Sequence, residues 1–337
     1  MAISNSFNFS LTRDEIVEAA LRKLNALLEG NTANTAKITN GSQALNVMLK
    51  AWQARSYPIH NVRRLFVLPN TPTTISRNQN LVWDLSIGNV GTNHTVSTYV
   101  HTTTTATLAA AGTALLVSSI TGISSGDTIG VELTSNSSLI HWTTVSGAPS
   151  GSTVTLASGI PTGDSVPSGA HVYVYTASTQ RAPRPIAIVG QWIVNLETSQ
   201  RYPINLRPED EILNTAYSTT SGPPVNISYR PNFFGSPNSQ DGVLLLYPGW
   251  GDAANLIELR AQYPFSDMDS SADEVQAPPE WFEAIIYGLA DRLAPEYGLD
   301  VKLRMMLKKE ATDAFDFAML GSNEGSSMFI MPDTQGL

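Results

Sequence analysis

The sequence has no cysteine among its 337 residues. This absence excludes a disulfide framework, thiol catalysis and any metal site built on cysteine thiolates. Charged residues are also scarce, at 15%, against roughly a quarter in an average soluble domain. The net charge of −9 argues further against a chain that binds phosphate backbones electrostatically.

Long apolar runs are lacking too. No run approaches the roughly 20 residues that a membrane-spanning helix requires. Residues 1–15 contain no basic region followed by an apolar core, so they do not have the pattern of a signal peptide. We therefore expect a soluble protein made in the cytosol, without membrane insertion. Hydrophobic residues still make up 42%, which predicts a folded chain of two or three packed units.

Helical patterns occur near the start of the chain. Thr12 and Glu15 fit a capping box, and apolar residues then recur at helical spacing as far as Gly30. A second helix is predicted from about Ser42, and it ends before Pro58 because the residue preceding a proline disfavours helical geometry.

Helical patterns return near the end of the chain. Pro278-Pro279 predicts the start of a third helix that ends by Pro295, and Asp300 is expected to cap a fourth that ends at Gly321. Neither helix pair can bury its apolar stripe alone, so the two pairs are expected to form one four-helix bundle. The buried face of the last helix is predicted to comprise Leu303, Met306, Leu307, Ala311, Ala314, Phe315 and Ala318.

The region between the helix pairs is predicted to be rich in β-structure. Short runs of Val, Ile, Thr and aromatic residues are separated there by Gly, Pro and Asn. Residues 90–180 contain neither Lys nor Arg, and their strand spacing predicts a small β-barrel or sandwich. A short helix is expected at 208–217. The predicted strands are 65–68, 81–83, 114–117, 128–133, 140–145, 153–156, 171–175, 186–189, 225–229, 243–247 and 256–259.

These patterns predict an α+β fold whose terminal helix pairs form a four-helix bundle interrupted by a β-rich insertion. The bundle is assigned to residues 1–60 plus 276–321. A β-rich domain takes 61–90 plus 181–275, and a small inserted barrel or sandwich takes 91–180. Residues 322–337 form a C-terminal tail.

One pattern resembles a catalytic motif without its structural context, and the histidines match no motif. Residues 122–126 read G-x-S-x-G, but a strand follows them, whereas a nucleophile elbow requires a helix there. A turn is the preferred interpretation. The histidines show none of the spacings of zinc sites, although a metal site assembled in three dimensions stays open; they are His60, His94, His101, His141 and His171.

Two groups of carboxylates also lack an essential feature. Asp267, Asp269 and Asp273 have the spacing of a calcium loop, but its sixth-position glycine is missing and Pro278 stands in place of its glutamate. The adjacent carboxylates of residues 209–211 diverge on a helix, which suits a solvated or interface surface. We therefore assign no catalytic, metal-binding or cofactor-binding residue and expect a protein that is not an enzyme.

Two groups of residues are candidates for contacts with other proteins. The densest basic group, on the last predicted helix, is either a solvated face or a contact between subunits or with a partner; it comprises Lys302, Arg304, Lys308 and Lys309. The second group is an apolar cluster in the C-terminal tail, for which we favour partner docking because soluble proteins seldom expose such clusters. It comprises Met328, Phe329, Ile330 and Met331.

The order of these elements resembles a family of viral proteins. Residues 13–24 (RDEIVEAALRKL) and 45–52 (LNVMLKAW) are similar to the first helices of bacteriophage head-to-tail adaptors. The later half resembles the tubular adaptors of short-tailed phages (tail tubular protein A-like connectors). The segments that carry this similarity are 222–224 (GPP), 242–248 (GVLLLYP), 278–281 (PPEW) and 289–298 (LADRLAPEYG).

This resemblance implies a ring, commonly of twelve subunits, that sits beneath the portal in the neck of the virion after assembly in the host cytoplasm. The helices would contact neighbouring subunits and the portal protein, and residues 328–331 would dock on the portal. The β-structure would face the tail nozzle protein and tail fibres. Double-stranded DNA would pass along the axis. Residues 90–180 depart from the pattern, since many members lack or replace them.

A second hypothesis is a tail component that binds or hydrolyses cell-surface glycan. Tryptophan rings can stack on sugars, although burial in a core is their commoner use. A hydrolase would also require a cleft with paired carboxylates, which the sequence does not locate. The tryptophans considered are Trp83, Trp142, Trp192 and Trp250.

Overall fold

The structure is a computed structural model with a mixed α+β fold and several sheets, which confirms the coarse fold class. It describes residues 9–28, 30–54, 61–69, 83–87, 94–134, 140–214, 222–231, 242–248 and 253–321. The chain separates into two compact units. The first, called the helical unit below, is Met1–Asn61 with Pro264–Leu337, and the second, called the β unit, is Val62–Tyr263.

The helices of the described residues include the four predicted toward the ends of the chain, the short helix predicted at 208–217, which spans 209–213, and one at 177–180 that was not predicted. A single 3-10 turn, Pro279–Trp281, leads directly into the fifth. They are α1 (Arg13–Lys23), α2 (Thr35–Ala54), α3 (Ala177–Gln180), α4 (Glu209–Leu213), α5 (Phe282–Leu293) and α6 (Val301–Gly321).

Of the predicted strand runs, 81–83 is described only at Trp83, and the others are confirmed; several short strands were missed. The strands of the described residues lie in the β unit, apart from Asn61 at the start of the first. They are β1 (Asn61–Val67), β2 (Trp83–Ile87), β3 (Thr95–Val96), β4 (Val100–Thr103), β5 (Ala114–Leu116), β6 (Thr128–Glu132), β7 (Ile140–Thr144), β8 (Thr153–Thr155), β9 (His171–Tyr175), β10 (Ala187–Asn195), β11 (Gln200–Pro203), β12 (Asn205–Leu206), β13 (Asn226–Arg230), β14 (Gly242–Tyr247) and β15 (Asn255–Tyr263).

The start of α1 is the predicted capping box. The Glu15 backbone N–H donates to the Thr12 hydroxyl at 3.4 Å, and the Thr12 backbone N–H donates to the Glu15 carboxylate at 2.8 Å. The Thr12 hydroxyl also donates to that carboxylate. These bonds from Thr12 lower the pKa of Glu15, the backbone bond contributing most. The reciprocal bonds satisfy donors that every helix start leaves free.

We expect Thr12→Ala to lower the free energy of unfolding by about 1 kcal/mol, the usual cost of losing an N-cap hydroxyl. Urea denaturation followed at 222 nm measures this loss. Thr39→Ala is the matched control, because the Thr39 hydroxyl donates to the Thr35 carbonyl within α2 and such bonds stabilise a helix little. An equal effect of both substitutions would contradict the capping role.

The boundaries of the first two helices differ from the prediction. Helix α1 ends at Lys23 rather than near Gly30, because Asn25 adopts a positive φ of 54° that a helix cannot continue through. Leu28, predicted on its apolar stripe, is 72% exposed. Helix α2 begins well before Ser42, because the Asn34 side chain accepts the Lys37 backbone N–H at 2.9 Å and acts as its cap.

Helices from both ends of the chain share one core. Helix α5 packs against α1, α2 and α6, and the core contains buried residues from all four helices, among them Val17, Leu45, Leu289 and Leu307. Helices α2 and α5 approach closely at Gly288, where an added Cβ would lie 2.9 Å from the Trp52 ring. Helix α6 packs mainly on α5, so much of its surface faces outward.

The β unit contains a five-stranded sheet (β11-β10-β15-β1-β3), two four-stranded sheets (β12-β13-β14-β2 and β4-β9-β6-β7) and the ribbon β5-β8. Every residue of β9 is buried. Its Tyr173 and Tyr175 belong to the core of the first two sheets, whereas Val172 and Val174 belong to a second core within residues 97–180. The predicted β block at 91–180 therefore shares one of its cores with the rest of the unit.

Candidate interaction surface

The outward side of α6 is unusually apolar for a solvent-facing surface. Phe317 is 76% exposed and Met306 is 65% exposed. Leu303, Met306, Phe317 and Leu320 lie on one side of the helix together with Glu310 and Asp313, because these six positions recur at alternating spacings of three and four. The exposed apolar side chains of α6 are Val301, Leu303, Met305, Met306, Phe317 and Leu320.

The prediction that Leu303 and Met306 point inward is therefore wrong. Leu307 and Ala318 are buried as predicted, and Ala314 and Phe315 are partly buried against the core. The physical reason is that α6 packs mainly on one helix, which covers only a narrow stripe of its surface. The sequence pattern identifies the apolar positions of α6, but it does not show how many of them the neighbouring helix covers.

The predicted basic residues lie on the first half of the same helix. Lys302, Arg304, Lys308 and Lys309 are all exposed, and residues 301–309 contain no acidic residue. Lys308 lies along a groove beside Asp291 of α5. The second half reverses the charge, with Glu310, Asp313 and Asp316. Helix α6 thus presents an exposed surface, here called the α6 face. It combines apolar and basic side chains in residues 301–309, is acidic at Glu310, Asp313 and Asp316, and is apolar again at Phe317 and Leu320.

The second predicted contact, residues 328–331, lies outside the described residues, as does His60. Its role in docking stays a prediction.

Two histidines that sequence spacing kept apart meet in the β unit. His101 Nε2 and His171 Nδ1 are 2.9 Å apart, so one ring donates a hydrogen bond to the other. The antiparallel pairing of β4 with β9 places these residues diagonally across the two strands. Burial, with a smaller contribution from His171, lowers the pKa of His101 to about 4. Glu197 lies 3.7 Å from the far nitrogen of His171.

The remaining histidines that the structure describes do not extend this pair. His141 lies 3.3 Å from the Ser158 carbonyl oxygen. Within the described ranges, no three His, Asp or Glu side chains are grouped in a way that could hold a metal ion.

His94 lies in a buried aromatic cluster. Its ring stacks on Trp142 with centroids 3.5 Å apart, and its Nδ1 is 2.8 Å from the Tyr175 hydroxyl. Burial, together with the nearby Arg181 charge, lowers the pKa of His94 to about 3. The ring is therefore neutral at physiological pH and contributes to packing.

The tryptophans of the glycan hypothesis are partly buried and contact neighbouring side chains where the structure describes them. Trp142 is covered by His94 and lies over Gly130, whose missing Cβ makes room for the ring. Trp192 lies over Gly190 in the same way, and the Arg201 guanidinium stacks 3.9 Å from the ring centre. The side chain of Trp83 and all of Trp250 lie outside the described residues.

The other motifs considered from the sequence have structural explanations. In the segment 122–126, the Ser124 backbone N–H donates to Asp127 at 2.8 Å and β6 begins at Thr128, so this segment is a turn as predicted. Glu209 pairs with Arg230 at 2.9 Å. Its near neighbour Glu211 pairs with Arg207 instead, at 3.2 Å, so these carboxylates do not converge.

The acidic loop before α5 follows the same pattern. Asp267 pairs with Lys50 at 2.9 Å, and Asp273 accepts the Ser270 backbone N–H at 2.6 Å. The aspartates of this loop thus bind different neighbours.

Comparison with known proteins gives no family for this chain: no protein-family model matches it, and no curated protein is significantly similar in sequence.

None of the helices in the described part of the chain combines the length and the hydrophobicity needed to cross a membrane.

Proposed function

We propose that this chain is a structural head-to-tail connector of a short-tailed bacteriophage, which forms a ring between the portal and the tail nozzle. The observation that carries the proposal is the α6 face, an exposed apolar and basic surface on a unit built from both ends of the chain. Monomeric proteins rarely leave large apolar patches in water, and such patches mark contact sites.

In this proposal the helical unit contacts neighbouring subunits and the portal protein. The four-helix bundle expected from the sequence forms the collar of a ring of twelve subunits. Residues 328–331 dock on the portal, and the β unit meets the tail nozzle protein and tail fibres. The subunit assembles in the host cytoplasm and belongs to the neck of the virion.

The acidic composition supports this role. The net charge is −9, and double-stranded DNA passes through the centre of the proposed ring. A basic channel would hold the duplex by releasing its counterions. A chain with an excess of carboxylates provides no such electrostatic hold, so the genome can slide. The covered rings of Trp142 and Trp192 leave the glycan hypothesis without a specific supporting contact.

We expect this chain to form a ring-sized complex when mixed with the purified portal ring of the phage that encodes it. Mass photometry and native mass spectrometry measure the stoichiometry. A second sample lacks residues 322–337 and is expected to bind the portal at least tenfold more weakly while keeping its circular dichroism spectrum. A chain that stays monomeric beside the portal ring and binds purified cell-wall glycan instead would refute the connector.

A further inference from the structure

Charges are segregated within the helical unit. Residues 301–309, at the start of α6, carry four basic residues and no acidic one. Residues 264–283, the loop before α5 and its first turn, carry six acidic residues and no basic one. Those six are Asp267, Asp269, Asp273, Glu274, Glu280 and Glu283.

The two charged segments lie at opposite ends of α5. Trp281, at the start of α5, packs against Phe315 in the second half of α6, with ring centroids 5.5 Å apart. The far end of α5 meets the basic half, since Asp291 and Lys308 line one groove. Helix α5 has 12 residues and is therefore about 18 Å long at 1.5 Å per residue. The basic half and the acidic segment thus lie toward opposite ends of α5, and within the described residues no ion pair joins them.

Part of the acidic segment is neutralised locally. Lys50 pairs with Asp267, whereas the Arg13 guanidinium pairs with Asp14 and reaches the segment only at the backbone carbonyl oxygen of Asp269. Of the other carboxylates, Glu274, Glu280 and Glu283 are exposed. This acidic end also has an exposed apolar side chain.

That side chain is Phe9, which is 64% exposed and meets the ring of Phe282 edge-on, with centroids 5.8 Å apart. Both ends of the helical unit therefore combine exposed apolar side chains with charge, and the charges are opposite.

We propose that the first half of the α6 face binds the acidic end of the helical unit in a second copy of this chain, head to tail. This inference rests on the proposed ring function and names the surfaces that join neighbouring subunits. A symmetric contact centred on residues 301–309 would place four basic residues of one copy against the same four of the other, which is repulsive. An antiparallel contact between whole α6 helices would instead pair the basic half with Glu310, Asp313 and Asp316, but a symmetric contact of this kind closes with two copies and cannot extend into a ring. A head-to-tail contact pairs opposite charges, and repeated contacts of this kind close into a ring when the rotation between copies permits.

The experiment reverses each charge separately and then both together. Lys302→Glu with Lys309→Glu makes the basic half acidic, and Glu280→Lys with Glu283→Lys makes the acidic end basic. We expect each double variant to lower the assembled fraction at least tenfold, as measured by mass photometry in the presence of portal ring. The chain with all four substitutions restores complementary charges and is expected to recover assembly. Arg207→Glu with Arg260→Glu, on the β unit, is the control for the first double variant, whose net charge it changes by the same amount.

The outcomes separate this inference from the proposed function. If the double variants assemble as well as the control, or if the fourfold variant does not recover, the head-to-tail contact is refuted, while a wild-type ring leaves the connector standing. A wild-type chain that never assembles refutes the connector itself. Two further results would overturn the assignment of the occupant: variants that form rings but lose the portal, or a charge effect that disappears when residues 322–337 are deleted.

Discussion

Trp281→Ala is expected to lower the free energy of unfolding of the helical unit by about 3–5 kcal/mol, the usual cost of truncating a large aromatic residue in a core. Trp281 is only 1% exposed. Its ring lies 6.3 Å from that of Trp52 and 5.5 Å from that of Phe315, so it joins α2, α5 and α6 at one point. Truncation would leave a cavity between the rings of Trp52 and Phe315, because the helices that carry these rings keep them apart.

Urea denaturation followed at 222 nm measures this effect, because most helical residues of the described chain belong to the helical unit. Phe317→Ala is the matched control. It removes an aromatic ring from α6 that is 76% exposed, and we expect a change below about 0.5 kcal/mol. Comparable losses from the two substitutions would show that α6 is packed differently from the structure described above.

Acidification from neutral pH is expected to destabilise the β unit progressively between about pH 6.5 and pH 3. Burial, with a smaller contribution from Arg181, lowers the pKa of His94 from 6.5 to about 3. Above pH 6.5 the ring is neutral in both states, so it has no effect on pH dependence. Below 6.5 only the unfolded chain takes up the proton, and the slope reaches about 1.4 kcal/mol per pH unit. The loss stops near pH 3, where the folded chain is protonated too.

His101 adds to this loss in a narrower range, down to about pH 4. Its contribution is smaller, because the ring is partly exposed and solvent screens its charge. Near-ultraviolet circular dichroism in urea, repeated at pH 7.5, 6.0 and 4.5, measures the whole effect. His94→Phe keeps a ring on Trp142 but cannot titrate, so its stability should depend less steeply on pH. Equal slopes for this variant and the wild type would exclude His94 as a source.

Much of the fold was predictable because it depends on local patterns. The capping box at Thr12 and the strand runs within 114–175 are short-range signals, and the structure confirms them. Helix α2 was placed too late, because Asn34 was not recognised as its cap. Strands β3 and β12 were missed, since two residues give no period to detect.

The candidate interaction surface was only half predictable. Its basic residues could be identified from the sequence, because four of them lie within the eight positions from Lys302 to Lys309. The exposure of Leu303 and Met306 depends on which other helices reach α6, and the spacing of residues along one helix carries no information about that. The pair formed by His101 and His171 depends in the same way on strand pairing across 70 residues.

Strand β9 makes the block of residues 91–180 part of the core of the whole β unit. Tyr173 and Tyr175 fill the larger core of the β unit, while Val172 and Val174 fill the core of the block itself. An inserted module that contacts the rest of a protein only at its two ends can be removed without changing the core of that protein. This one cannot, because its removal would strip aromatic side chains from the core of its host. A deletion of residues 91–180 would therefore require new side chains to fill the space that Tyr173 and Tyr175 occupy.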